Sequence, residues 1–249
     1  MQIVKQNNDI VKYLQKDRHV NHNILSYFAY NTDAHVYIYD RIAENGVIVG
    51  NEKQNFFFMT TCNRDFMEAF WESLPPGHKV FSGVPKPAAD VMTAMIEPVW
   101  GGPCKTFVYD GKTQIADSPC GFAIEPLTPG DAEEVDKYYT YRSESSAKRL
   151  RESIQIMDSA CIRIDGQLAS WCLVHAEDGT LGPLFTKPEH RGKGMGEALV
   201  RHLIKIIVAK NIIPIAQIAE SNTPSLALIE KLGFMGFSHY CTWFGLDKS

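Results

Sequence analysis

The six residues Arg191-Gly192-Lys193-Gly194-Met195-Gly196 constrain this chain more than any other stretch. They follow the β-prone run Leu181 to Thr186. They precede a segment, Met195 to Lys210, in which Leu199, Leu203, Ile206 and Ile207 fall on one helical face. A strand, a glycine-rich turn and a helix are therefore expected in that order. Three glycines at alternate positions permit backbone angles that a side chain forbids. Their N–H groups can converge in a concave nest, and the helix that starts there adds the positive end of its dipole. Arg191 and Lys193 supply full charge to match a pyrophosphate. An anion at such a helix end gains roughly 0.3–2 kcal/mol from the dipole alone.

Other glycine loops fit less well. A dinucleotide fingerprint requires G-x-G-x-x-G, but Gly194-Met195-Gly196 is followed by Glu197-Ala198-Leu199. A phosphate loop requires Gly-Lys-Ser/Thr, but Gly192-Lys193 is followed by Gly194. A glycine-rich helix entry without a ligand is the bland alternative.

The rest of the chain alternates helix and strand, which predicts an α/β (α+β) fold with a mixed sheet. In the N-terminal half the first ~20 residues suggest a helix through Ile10, Val11 and Leu14, capped by Asn8 or Asp9. His35 to Tyr39, Val47 to Val49, Phe56 to Met59, Val80 to Gly83 and Thr106 to Tyr109 are strand candidates. Asn63 is placed to cap a helix from Arg64 to Leu74, and a further helical segment surrounds Ala88 to Ile96. This half holds no motif tied to chemistry; the spacing of His19, His22 and His35 fits no common metal site.

A turn-rich boundary at 117–121 separates residues 1–116, a smaller α/β domain, from residues 122–249. Beyond it, Phe122 to Leu127 reads as a short strand. Thr128-Pro129-Gly130-Asp131 then starts a helix to about Tyr139, and a second helix runs from Ser145 to Met157. Strands follow at 160–164, 168–175 and 181–186, turned at Asp165-Gly166 and Asp178-Gly179. The helix after the glycine turn, a strand at 214–219, a helix at 223–232 and a strand at 237–246 complete the order.

Net charge −4 and pI about 6.1 argue against nucleic acid as the main partner. Neither half is a basic module: residues 1–121 carry 11 basic and 13 acidic side chains, the remainder 14 and 16. No apolar run approaches the ~20 residues that span a bilayer, and the N-terminus lacks the apolar stretch of a signal peptide, so a cytoplasmic protein without a membrane partner is expected. The six cysteines show no metal or redox spacing and are expected to be buried and reduced.

The segment Gly182 to Gly196 resembles the pantetheine strand and R-x-x-G-x-G signature of the GNAT acyltransferase superfamily. The run Glu220-Ser221-Asn222-Thr223-Pro224-Ser225 to Leu232-Gly233-Phe234 resembles its second hallmark, an Asn followed by a helix ending in Leu-Gly-Phe. The resemblance covers about residues 122–246. Leu168-Ala169-Ser170-Trp171 and Leu184-Phe185-Thr186-x-Pro-x-His190-Arg191-Gly192 further resemble the glycine N-acyltransferase-like branch.

The resemblance implies a co-substrate, acetyl-CoA or another acyl-CoA, held by Leu184, Phe185, Thr186, Arg191, Gly192, Lys193, Gly194, Met195, Gly196, Asn222 and Ser225, with no metal. It implies transfer of the acyl group to the primary amine of a small metabolite or amino acid. The N-terminal half would wall the acceptor site or mediate homodimer formation. Many relatives carry a Tyr before Lys-Leu-Gly-Phe that protonates the leaving thiolate; here Ile229 stands there, leaving Ser221, Tyr240 or water for that role. Glu220 is the first candidate for general base, ahead of His175, Glu177 and Asp178. A protein N-acetyltransferase and a CoA-binding sensor remain open.

Overall fold

A computed structural model describes all residues except 19, 32, 33, 52–54, 110, 114, 117–120, 141, 143, 145 and 177, with backbone only at 30, 43 and 237–240. The chain divides into two compact units. Compactness does not follow one sequential cut: residues 217–227 and 235–249 group with 1–108, and the second unit holds 109–216 and 228–234. The boundary expected at 117–121 lies outside the described residues except for Gly121.

The first unit is built on an eight-stranded sheet. β1 (Gln2–Lys5), β2 (His35–Ile38), β3 (Val47–Asn51) and β4 (Phe56–Met59) form an antiparallel run. β4 then pairs in parallel with β5 (Gly77–Pro85), at Phe56↔Val80 and Phe57↔Phe81 among the described residues. β11 (Phe234–Lys248) lies between β5 and β6 (Trp100–Tyr109), and β10 (Ile215–Ala219) closes the order.

Strand alternation feeds two cores. Tyr37, Ile48, Phe57 and Met59 face α4 (Arg64–Ser73) and α5 (Lys86–Met95), which contribute Phe66, Phe70, Ala88 and Met92. Val36, Val47, Val49 and Phe58 join Ile10 and Leu14 of α1 (Asn8–Gln15) and Ile24 and Tyr27 of α2 (His22–Tyr30). Helices cover both faces, which is why Phe56 to Met59 is apolar at every position.

Gly50 on β3 shows how close the packing is. An added Cβ would lie 2.2 Å from Phe57 Cδ1 and 2.5 Å from the Phe56 carbonyl oxygen. Overpacking of this kind costs about 1–3 kcal/mol. Gly50→Ala should therefore lower Tm by several degrees, at about 2–4 °C per kcal/mol. An unchanged calorimetric Tm would contradict the packing.

The second unit holds an antiparallel meander, β7 (Ser159–Ile164), β8 (Gln167–Val174) and β9 (Leu181–Thr186). On one face α6 (Ala132–Lys137) and α7 (Ser146–Ile156) bury Val135, Leu150 and Ile154 against Cys161, Trp171 and Leu173. On the other, α8 (Met195–Ala209) buries Leu199, Leu203 and Ile207. α9 (Thr223–Lys231) precedes β11. The Asp131 carboxylate accepts from Thr128 N–H at 2.7 Å, the expected start of that helical region.

Three expectations change. The strand expected at Phe122 to Leu127 reduces to one antiparallel bridge, Glu125↔Cys161. The N-terminal stretch begins with β1, and Asn7, not Asn8 or Asp9, caps α1 by accepting from the N–H of Asp9 and Ile10. Among the cysteines, Cys104, Cys161, Cys172 and Cys241 are buried, but Cys62 is exposed, and Cys120 lies outside the described residues. Burial pushes Cys172 up to about 12 and Cys104 and Cys161 up to about 11, so these three are protonated at neutral pH and poor nucleophiles. No helix among the described residues is long and apolar enough to cross a membrane.

Candidate functional site

β9 is the edge of its sheet. The N–H of Lys187 bonds to the Ala169 carbonyl at 2.9 Å, and antiparallel alternation then turns the polar backbone groups of Phe185 toward β8 and those of Leu184 and Thr186 outward. Among the described residues, the parallel bridge to the next strand is Thr180↔Ile215, just before β9 begins. From Leu181 onward the outer edge offers N–H and C=O groups in a strand geometry suited to a ligand that carries amides.

The side chains divide by face. Phe185 packs on Trp171 (ring centroids 5.1 Å) and Tyr138 (4.7 Å). Leu184 and Thr186 lie against α8 where Gly196 leaves the helix bare: a Cβ there would meet Thr186 Oγ1 at 3.6 Å and Leu184 Cδ2 at 3.7 Å, ordinary contacts. Ser170, fully buried, bonds Thr186 Oγ1 at 2.8 Å and donates to the Phe185 carbonyl at 3.0 Å.

The turn begins after a single 3-10 turn, Pro188–His190. Gly192 and Gly194 adopt left-handed angles, φ +76° and +77°, around Lys193. This alternation is the backbone form of an anion nest. Gly196 departs from the expectation for all three glycines: it is an ordinary residue of α8 and needs no special angle. Gly194 is the N-cap of α8, and no side chain caps the helix. Its first N–H groups are thus left for solvent or a ligand. Residues 191–194 are exposed and Met195 is buried beneath them. Arg191 Nε donates to the outward Thr186 carbonyl at 3.1 Å, and its guanidinium lies 5.7 Å from the Phe185 ring centre, which ties the turn to β9.

Glu197, in the first turn of α8, would repel an anion if left free. Lys231 Nζ contacts its Oε2 at 2.6 Å and Arg201 Nη2 its Oε1 at 2.8 Å. The Lys231 hydrogen bond is the largest influence, and with the smaller help of Arg201 it outweighs partial burial and holds the carboxyl below its ordinary 4.5. A folded value below the unfolded one gives stability that is complete above 4.5 and fades as pH falls through the folded value. The stability gap between wild type and Glu197→Gln, read by urea denaturation, should therefore narrow from about pH 6 to about pH 3. A constant gap would remove the pair from the stability of the turn.

Leu184, Phe185, Thr186 and Arg191 to Gly196 are thus brought together in the second unit. Glu220, Ser221, Asn222 and Ser225 form a separate group after β10, in the first unit. Asn222 Oδ1 accepts from Ser225 N–H at 3.3 Å, so it caps α9. Glu220 is half-exposed with Lys105 Nζ 3.6 Å from Oε1, and Ser221 is exposed. Tyr240 lies on β11 by its backbone, and its side chain is outside the described residues, as is all of Glu177. Ile229 is buried in α9. Asp178 is fully buried and closes its turn by accepting from Thr180 N–H at 2.9 Å and Thr180 Oγ1 at 2.7 Å. His175 is half-buried, its Nε2 facing Gly182. Sequence reasoning missed the Lys231–Glu197–Arg201 lock. The i,i+4 spacing of Glu197 and Arg201 was a visible signal; Lys231 gave none.

Strand meander, edge strand, glycine turn and helix together make the fold of the GNAT acetyltransferases. An X-ray structure of a Drosophila protein superposes with a TM-score of 0.75 at 15% identity, covering 98% of each chain. A GCN5-related N-acetyltransferase from Kribbella flavida gives 0.53 at 11% identity over 93% of this chain and 95% of that one. A tandem GNAT protein from the clavulanic acid biosynthesis pathway gives 0.53 at 13% identity over 99% and 98%. In sequence, residues 161–243 match the profile of the FR47-like protein family. Comparison with curated proteins gives no significant match.

Proposed function

We propose that this chain transfers an acyl group, acetyl above all, from acyl-CoA to the primary amine of a small metabolite or amino acid. The observation that carries the reading is the uncapped N-terminus of α8 behind two left-handed glycines, set at the end of an edge strand with outward amides. Pyrophosphate on the N–H groups after Gly192 and pantetheine amides along Leu184 and Thr186 would use both. The FR47-like match and the GNAT fold support the same donor.

In the reaction the amine nitrogen attacks the thioester carbonyl carbon, the C–S bond breaks, and the amine proton leaves to a base while the thiolate takes one up. Positioning of the two reactants is worth roughly 7–11 kcal/mol. An outward backbone N–H of β9 would stabilise the oxyanion. Glu220 is assigned as base, and Ser221, Tyr240 or water delivers the proton to the thiolate, whose intrinsic pKa near 8–9 asks little help. Glu220→Gln should then lower turnover and raise the pH optimum; an unaltered pH profile discards that role. The resemblance to the glycine N-acyltransferase-like branch favours an amino acid as acceptor.

Ile229, buried where relatives carry an acid, is the observation that favours a second reading, a CoA-binding sensor. Thiol release from acetyl-CoA with a panel of amino acids, small amines and a lysine peptide separates the readings. Turnover with small amines supports the first, turnover with the peptide alone supports a protein acetyltransferase, and binding without turnover supports the sensor.

A further inference from the structure

The order of elements occurs twice. In the first passage β1 is followed by α1, α2, the meander β2–β3–β4, α4, β5, α5 and β6. In the second, the Glu125 bridge stands where β1 stood, followed by α6, α7, the meander β7–β8–β9, α8, β10, α9 and β11. The four-residue helix α3 (Ile42–Asn45) is the extra element of the first passage. The finer geometry repeats too. In both, among the described residues, a short parallel pairing joins the next strand to the start of the third meander strand or to the residue just before it, Phe56↔Val80 and Phe57↔Phe81 in one and Thr180↔Ile215 in the other. In the eight-stranded sheet each fifth strand, β5 or β10, has the other passage's last strand as its neighbour, β11 or β6.

The two passages differ where the donor would sit. Between β9 and α8 run eight residues, 187–194, with two left-handed glycines and no side-chain cap. Between β4 and α4 run four, Thr60-Thr61-Cys62-Asn63, with no glycine and no left-handed residue. Asn63 Oδ1 already accepts from Phe66 N–H at 3.0 Å, and Thr61 Oγ1 accepts from Asn63 N–H at 2.9 Å. Asp65 places a carboxylate in the first turn of α4. A phosphate there would find one donor taken, no nest and a like charge.

We infer that the chain is one acyl-CoA-binding module present twice, that only the second copy retains a donor site, and that the protein binds a single acyl-CoA per chain. The first copy serves as scaffold, contributing β6 to the shared sheet. This inference rests on the donor-site reading above. Calorimetric titration of the full chain with CoA tests it. One site per chain is expected, together with loss of all measurable binding in Gly194→Asp and an affinity within about twofold of wild type in Asn63→Ala. Two sites in the wild type would overturn the inference while leaving the donor reading intact, whereas unchanged affinity in a folded Gly194→Asp would take the donor site away from this turn and overturn both. No heat with the wild type sinks the donor reading instead. Wild-type stoichiometry decides the matter even if a variant does not fold.

Discussion

Gly194→Asp should abolish measurable acetyl-CoA binding while leaving the fold largely intact. Two effects add. A side chain at φ +77° is disfavoured by roughly 1–2 kcal/mol, less for Asp than for most residues. The larger effect is a carboxylate at the mouth of the nest, where it competes for the free N–H groups of α8 and repels the pyrophosphate. Hydrogen bonds to a charged group are worth about 1.5–3 kcal/mol each, so losing two lowers affinity by roughly 10²- to 10⁴-fold. Gly194 is exposed and outside the cores, so circular dichroism should show a cooperative melt near that of the wild type. Gly194→Ala, which keeps the strain without the charge, should lose about tenfold at most. Unchanged affinity of the Asp variant in calorimetry would remove the site from this turn.

The second large effect is expected for Trp171→Ala. Trp171 is 1% exposed on β8, opposite Phe185 of β9 in register, with the rings of Phe185 and Tyr138 centred 5.1 and 5.6 Å away. Removing a buried indole costs about 3–5 kcal/mol, and the hole opens directly behind the edge strand. Urea denaturation should show that loss, and CoA affinity should fall with it as β9 loses its backing. A loss below about 1 kcal/mol would mean that the second unit can collapse around the gap. Weakened binding without destabilisation would instead place the indole's role at the ligand.

Both predictions use residues that a reader of the sequence can find, but for different reasons. The glycine turn is legible because its meaning is local: two of its three glycines carry backbone angles that only a short list of residues tolerates. The caps at Asn63 and Thr128 with Asp131 are legible for the same reason, since each closes within three residues. β1, by contrast, is a four-residue edge strand with an exposed pattern, and α2 is apolar on more than one face, so neither carries a period that distinguishes it. Phe122 to Leu127 has strand-like composition but makes a single bridge, because pairing needs a partner as well as a propensity.

By itself the sequence determined which segments become strands and helices over most of the chain and where a glycine-rich helix start must fall, because periodicity and backbone permissiveness act between near neighbours. The tertiary structure alone decided that β11 lies between β5 and β6 and that Lys231 neutralises Glu197 beneath the turn. Those facts depend on hydrogen bonds and ion pairs between residues tens to more than a hundred positions apart, and nothing in local composition encodes such a partner.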